Sequence, residues 1–140
     1  FAKDLSQPNI DWQKYYLNAV DPIAEMHELV RWAAENYRVG LLSNIGSGFI
    51  DDMLKAGLLP DITYDAIVDS SKVGVLKPDP KIYDIAESMA GVSPSEILLV
   101  DDTRANLMPA QRAGWHVMWF NDYDSMEATE RVRSALAPAD

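Results

Sequence analysis

The sequence contains no cysteine, which excludes a disulfide scaffold and any thiolate nucleophile or thiolate metal ligand. It is also poor in positive charge. Twelve Lys and Arg stand against 22 Asp and Glu, a formal net charge of −10. That deficit argues against nucleic acid or an anionic membrane as partner, because both are bound by a basic face. No apolar run approaches the roughly 18 residues of a membrane span, and the N-terminal stretch lacks the charged-then-apolar layout of a secretory leader. No repeat, low-complexity tract or flexible linker is visible. What is present is an acidic chain of 140 residues, 48% hydrophobic. This is the size of one domain, able to bury about two-thirds of its unfolded surface, and it is expected to be cytoplasmic. It opens on Phe1 rather than Met, which predicts a processed product or part of a longer protein.

From residue 22 onward the pattern alternates between helix and strand. Ile23, Met26, Leu29, Val30, Ala33 and Tyr37 recur at helical spacing, with Asp21 as N-cap and Pro22 in the first turn. Val39 to Leu42 reads as a short buried strand ending at Ser43-Asn44. A helix over about 48–56 stops at Gly57, and Ala66 to Val68 forms the next strand. A helix then follows Lys77-Pro78-Asp79-Pro80 and stops at Gly91, and Ser93 to Glu96 fits a capped turn. Ile97 to Val100 is apolar throughout, as expected of a strand covered on both faces. It runs into Asp101-Asp102 and a helix ended by Gly114. His116 to Phe120 and a helix from Asp124 to about Leu136 complete the chain. The fold class expected is α/β, a Rossmann-like parallel sheet with helices on both faces. Residues 1–20 do not fit the alternation: Trp12, Tyr15, Tyr16 and Leu17 have partial helical spacing and read as the end of a helix from another element.

Ligands of open α/β sheets bind beyond the carboxyl ends of the strands. The polar residues there are Ser43-Asn44, then Ser70-Ser71 and Lys77, then Asp101-Asp102, with 34 residues from Ser43 to Lys77 and 24 from Lys77 to Asp101. Each has an ordinary reading when taken singly: a turn, a surface lysine, a helix cap. Together they are chemically coherent. Two adjacent carboxylates repel each other unless a cation or a lysine neutralises them. Oxygen-only donors favour a hard ion such as Mg²⁺, which takes one or two carboxylates plus phosphate and water. A lysine, a hydroxyl and an amide supply donors to phosphate oxygens, and the backbone N–H groups of Ile45 to Gly48 extend that anion site. The set predicts a Mg²⁺-dependent phosphoryl-transfer pocket. His27 and His116 read as structural, and Trp115, Trp119 and Phe120 as core or sheet-flanking.

The order Leu41-Leu42-Ser43-Asn44, Val73-Gly74-Val75-Leu76-Lys77-Pro78-Asp79-Pro80 and Ile97-Leu98-Leu99-Val100-Asp101-Asp102-Thr103-Arg104-Ala105-Asn106 resembles motifs II, III and IV of the haloacid dehalogenase-like hydrolases. Residues 70–114 are similar to the phosphatase domain of mammalian soluble epoxide hydrolase and to bacterial sugar- and nucleotide-phosphate phosphatases. The resemblance implies that Ser43 hydrogen-bonds the transferring phosphoryl group, with Asn44 beside it at the substrate. It implies that Lys77 steadies the nucleophile and the phosphoryl oxygens. Asp102 matches the direct Mg²⁺ ligand, Asp101 its neighbour acting through water or from behind the direct ligands, and Asn106 the motif IV position four residues further on. Dehalogenating relatives need no metal and replace the acidic pair, so Asp101-Asp102 implies a phosphatase acting on a small phosphorylated substrate. A receiver domain shares the residue types but carries them in a different order.

The family's motif I, a hydrophobic strand followed by D-x-D-x-T with the nucleophilic Asp, is not found in the sequence. Asp4 and Asp11 follow no hydrophobic strand, and Asp61 follows a loop. The expectation is therefore that residues 1–20 are the C-terminal remnant of a helical cap domain and residues 21–140 a partial core. The central strand and its nucleophile would then lie upstream of Phe1. The gap would be filled by that upstream segment, by a second chain, or by a rearranged sheet, since each unpaired buried backbone group costs roughly 1–3 kcal/mol. Two classes follow: an enzyme whose nucleophile lies upstream, or a non-catalytic remnant that binds phosphate and metal without turnover.

Overall fold

The computed structural model describes residues 14–17, 24–120 and 124–136. Among these residues five parallel strands form one sheet: β1 (Lys14–Leu17), β2 (Arg38–Ser43), β3 (Ala66–Asp69), β4 (Ile97–Asp101) and β5 (His116–Trp119), in the spatial order β3-β2-β1-β4-β5. All pairings are parallel. The helices are α1 (Ala24–Asn36), α2 (Phe49–Lys55), α3 (Ser70–Val73), α4 (Pro80–Ala90), α5 (Arg104–Arg112) and α6 (Ser125–Leu136).

Strand alternation separates two cores. Val39, Leu41, Leu98, Val100 and Met118 face α1 and α6, where Met26, Leu29, Val30 and Ala33 form the buried stripe of α1. Leu42, Val68, Leu99 and Val117 face α4 and α5, against Ile82, Tyr83, Ala86 and Leu107. The helix boundaries follow local chemistry. Asp79 caps α4 by accepting a hydrogen bond from Lys81 N at 3.0 Å, with Pro80 in the first turn, and Gly91 ends the helix at φ 66°. Asp124 Oδ1 accepts from Glu127 N at 3.3 Å at the start of α6. The α/β class and the elements expected from residue 24 onward are all present; α3, a single turn, was not foreseen.

One expectation is overturned. The sheet has no central gap, because Lys14–Leu17, expected to end a helix of the cap, forms β1 between β2 and β4. Tyr15 pairs with Val39 on one side and Leu98 on the other, and Leu17 with Leu41 and Val100. The physical reason is the one that made a gap costly: two flanking strands offer unpaired backbone groups on both sides, and four residues in extended form satisfy both rows. The remainder of the cap expectation, residues 1–13 and 18–20, and the Asp21-Pro22 helix start lie outside the described residues. No described helix is long and apolar enough to cross a membrane.

Candidate functional site

The chain moves outward from β1 to β2 and β3, then returns to the other side of β1 for β4 and β5. This reversal makes a crevice at the carboxyl ends of the central strands. Ser43 ends β2, Asp69 ends β3 beside it in register, and Asp101 ends β4. All three are buried.

Lys77 lies on the loop before α4, and its side chain is fully buried. Its Nζ donates to Leu42 O on β2 at 2.9 Å and to Asp101 Oδ2 on β4 at 2.7 Å. Because β1 lies between β2 and β4, this lysine straddles the carboxyl end of β1. Burial pulls its ammonium below the ordinary lysine range, while the Asp101 and Asp102 carboxylates pull the other way. Asn44 fixes the loop from the opposite direction. Its Oδ1 accepts from Lys77 N at 2.7 Å and its Nδ2 donates to Lys77 O at 2.9 Å, so one amide satisfies both backbone groups of the lysine. The Lys77-Pro78 peptide bond is cis.

The acidic pair divides. Asp101 is 1% exposed, and both its oxygens are engaged. Oδ2 takes the lysine and, at 3.4 Å, Asn106 Nδ2; Oδ1 accepts from Thr103 N at 2.8 Å. Asn106 is itself buried, and its backbone carbonyl accepts from Tyr83 OH, a phenol pushed up by its burial. Asp102 is only half-buried. Thr103 Oγ1 lies 3.5 Å from its Oδ1, and its backbone carbonyl accepts from Trp119 Nε1 at 2.9 Å. It is close enough for its charge to act on Lys77.

The residues singled out in sequence thus form one bonded chain, Asn44–Lys77–Asp101–Asn106. Ser43 adjoins it through its neighbours Leu42 and Asn44, and Asp102 adjoins it through Asp101. Three supports were not foreseen. Ser70 Oγ accepts from Ile45 N at 2.8 Å and donates to Ile45 O at 3.1 Å, pinning the loop after β2. Asp69 caps α3 through Ser71 N and Oγ, and Trp119 holds the Asp102 carbonyl. The only sequence signal for the first two was the position of Asp69-Ser70-Ser71 at a strand end.

The donors suit a hard cation only in its water-rich form. Among the described residues no cluster of three or more His, Asp or Glu is arranged to hold a metal. With Asp101 neutralised by Lys77, Asp102 is the carboxylate at the rim. Mg²⁺ accepts one or two carboxylates and completes its shell with water and phosphate oxygens, so the pair fits that ion and not a cation needing an all-protein cage.

A family model for haloacid dehalogenase-like hydrolase matches residues 3–114. The (S)-2-haloacid dehalogenase 4A of Burkholderia cepacia is 31% identical over 105 residues, covering 75% of this chain and 44% of that protein. The pyrimidine 5′-nucleotidase YjjG of Escherichia coli is 34% identical over 88 residues, covering 61% and 39%. The chain spans half or less of the curated relatives it matches, among them the bifunctional epoxide hydrolase 2 of Mus musculus. Among solved structures, an enzyme of the same family from Bacteroides thetaiotaomicron, in complex with magnesium and inorganic phosphate, superposes with a TM-score of 0.62. It is 25% identical and covers 71% of this chain and 53% of that one.

Proposed function

This chain belongs to the haloacid dehalogenase-like hydrolase family, and from that premise we propose that it carries the phosphate- and metal-binding part of a cytoplasmic Mg²⁺-dependent phosphatase. Its substrate is a small phosphate monoester, and neither nucleic acid nor a membrane surface is a partner. The observation that carries the reading is the buried Lys77–Asp101 pair with Asp102 beside it at the rim. A phosphatase needs both halves of that arrangement, a fixed cation for phosphoryl oxygens and an acidic position for the metal. A metal-free dehalogenase needs no acidic pair. The relatives include a nucleotidase, and a structural neighbour holds magnesium with phosphate, which supports the same choice.

In this reading Ser43 and Asn44 donate to the phosphoryl group, and Lys77 Nζ holds its charge. Asp102 binds Mg²⁺ directly, Asp101 binds it through water while orienting Lys77, and Asn106 steadies Asp101. Mg²⁺, when bound, neutralises phosphate charge and favours attack at phosphorus. The nucleophile is an aspartate whose carboxylate attacks phosphorus as the alcohol leaves, and water then hydrolyses the aspartyl-phosphate. That aspartate is supplied upstream of Phe1 or by a second chain.

A second reading, binding without turnover, is favoured by one observation. The residues that follow β1 in sequence are Asn18-Ala19-Val20-Asp21, not D-x-D-x-T. Release of p-nitrophenol from p-nitrophenyl phosphate with and without Mg²⁺ decides between them. Metal-dependent turnover that is lost in Lys77→Met and in Asp102→Asn supports the phosphatase. No turnover, with Mg²⁺ and phosphate still bound, supports the second reading. Metal-independent release of halide from a 2-haloacid, with no phosphate released, overturns both.

A further inference from the structure

The peptide unit between Asp102 and Thr103 is held at both edges. Its carbonyl accepts from Trp119 Nε1 at 2.9 Å, and its N–H, that of Thr103, donates to Asp101 Oδ1 at 2.8 Å. A trans peptide is planar, with these two groups on opposite edges, so bonds at both stop the plane from turning. That fixes the backbone torsion ψ at Asp102. The peptide unit on the other side is tied as well. The Asp101 carbonyl accepts from Phe120 N at 2.9 Å, continuing the β4–β5 pairing in which Asp101 lies opposite Trp119. Both planes that flank the Asp102 Cα are therefore anchored to the end of β5, and the carboxylate keeps only its own side-chain torsions. The two anchors differ in kind. Any residue but proline at position 120 supplies the backbone donor, whereas the other anchor needs a side chain with an N–H placed as the indole places it. The ring is itself braced. Arg104, the first residue of α5 and two residues beyond Asp102, sets its guanidinium carbon 3.9 Å from the centre of the Trp119 ring, a contact favoured by the ring's negative face.

We propose that Trp119 is a positioning residue for the metal: by holding the Asp102 carbonyl it aims the rim carboxylate and so sets the site's preference for Mg²⁺. The proposal rests on the reading of Asp102 as the direct Mg²⁺ ligand. Mg²⁺ demands near-ideal octahedral geometry, whereas Ca²⁺ accepts irregular arrangements of oxygen ligands. A carboxylate whose backbone is free to turn therefore loses Mg²⁺ before it loses Ca²⁺. Partners that orient a metal ligand from behind are commonly worth tenfold or more in metal affinity.

The test titrates MgCl₂ and, separately, CaCl₂ into ¹⁵N-labelled protein, wild type and Trp119→Phe, with the backbone and indole N–H signals followed. Trp119→Phe keeps an aromatic face beneath Arg104 and removes the donor. Mg²⁺ affinity should fall roughly tenfold in the variant, while Ca²⁺ affinity stays within about twofold of the wild type. Equal weakening of both metals, or of neither, is what a merely structural tryptophan gives, and either result overturns the inference. A second measurement needs no change at Trp119 and holds even where Trp119→Phe fails to fold. In the wild type the Trp119 indole Nε1–H signal, assigned by triple-resonance spectra, should shift saturably with Mg²⁺, and it should stay in place in Asp102→Asn. A wild type that binds Mg²⁺ with that signal unmoved overturns the inference and leaves Asp102 as the ligand. A wild type with no response to Mg²⁺ overturns both the assignment of Asp102 and the inference.

Discussion

Asp101 and Asp102 are adjacent in sequence and opposite in circumstance. Asp101 is buried and committed, bonded to Lys77, Thr103 and Asn106. Asp102 is half-buried at the rim and linked outward to Trp119 and, through its ring, to Arg104. The inner half of the site is therefore part of what holds the sheet's carboxyl end together, and the outer half is the half-buried rim, to which the proposed function assigns the metal. Substitutions within one short motif should separate stability from binding.

The largest effect belongs to the inner half. Lys77→Met leaves the Asp101 carboxylate buried without its cation, and removal of one member of a buried pair costs about 3–5 kcal/mol. Urea denaturation should show that loss, and Lys77→Met combined with Asp101→Leu should recover most of it. Failure of the double variant to recover would mean that packing, not charge, dominates there. Asn44→Ala strands both backbone groups of Lys77 and should lose about 1–3 kcal/mol in the same measurement. Ser70→Ala removes the two bonds to Ile45 and should lose about 1–2 kcal/mol; because Ser70 lies outside the acidic pair, Mg²⁺ affinity should change little. Asp102→Asn is expected to move the unfolding free energy by no more than about 0.5 kcal/mol. A destabilisation as large as that of Lys77→Met would erase the distinction between the two halves.

Much of this arrangement was legible in sequence because it is written locally. Strand-to-polar transitions at Ser43, Asp69 and Asp101 and glycine stops at Gly57, Gly91 and Gly114 mark the element ends. Two neighbouring carboxylates called for a cation or a lysine, and Lys77 Nζ lies 2.7 Å from Asp101 Oδ2. What sequence could not supply was decided by partners far along the chain. Lys14 to Leu17 has no alternation of its own, and it is a strand because β2 and β4 flank it on both sides. Strand preference is largely a matter of such neighbours. Ser70 gave no sign that it would hold Ile45, 25 residues earlier. Trp119, expected as a sheet-flanking side chain, also carries the polar link to Asp102.

The division between the two acids is tested most directly by calorimetric titration of Mg²⁺ in the presence of inorganic phosphate, on the wild type and on Asp102→Asn. The account predicts saturable binding in the wild type and its loss in Asp102→Asn, with the urea midpoint of the variant unchanged. Absence of binding in the wild type, or equal binding in the variant, would contradict it.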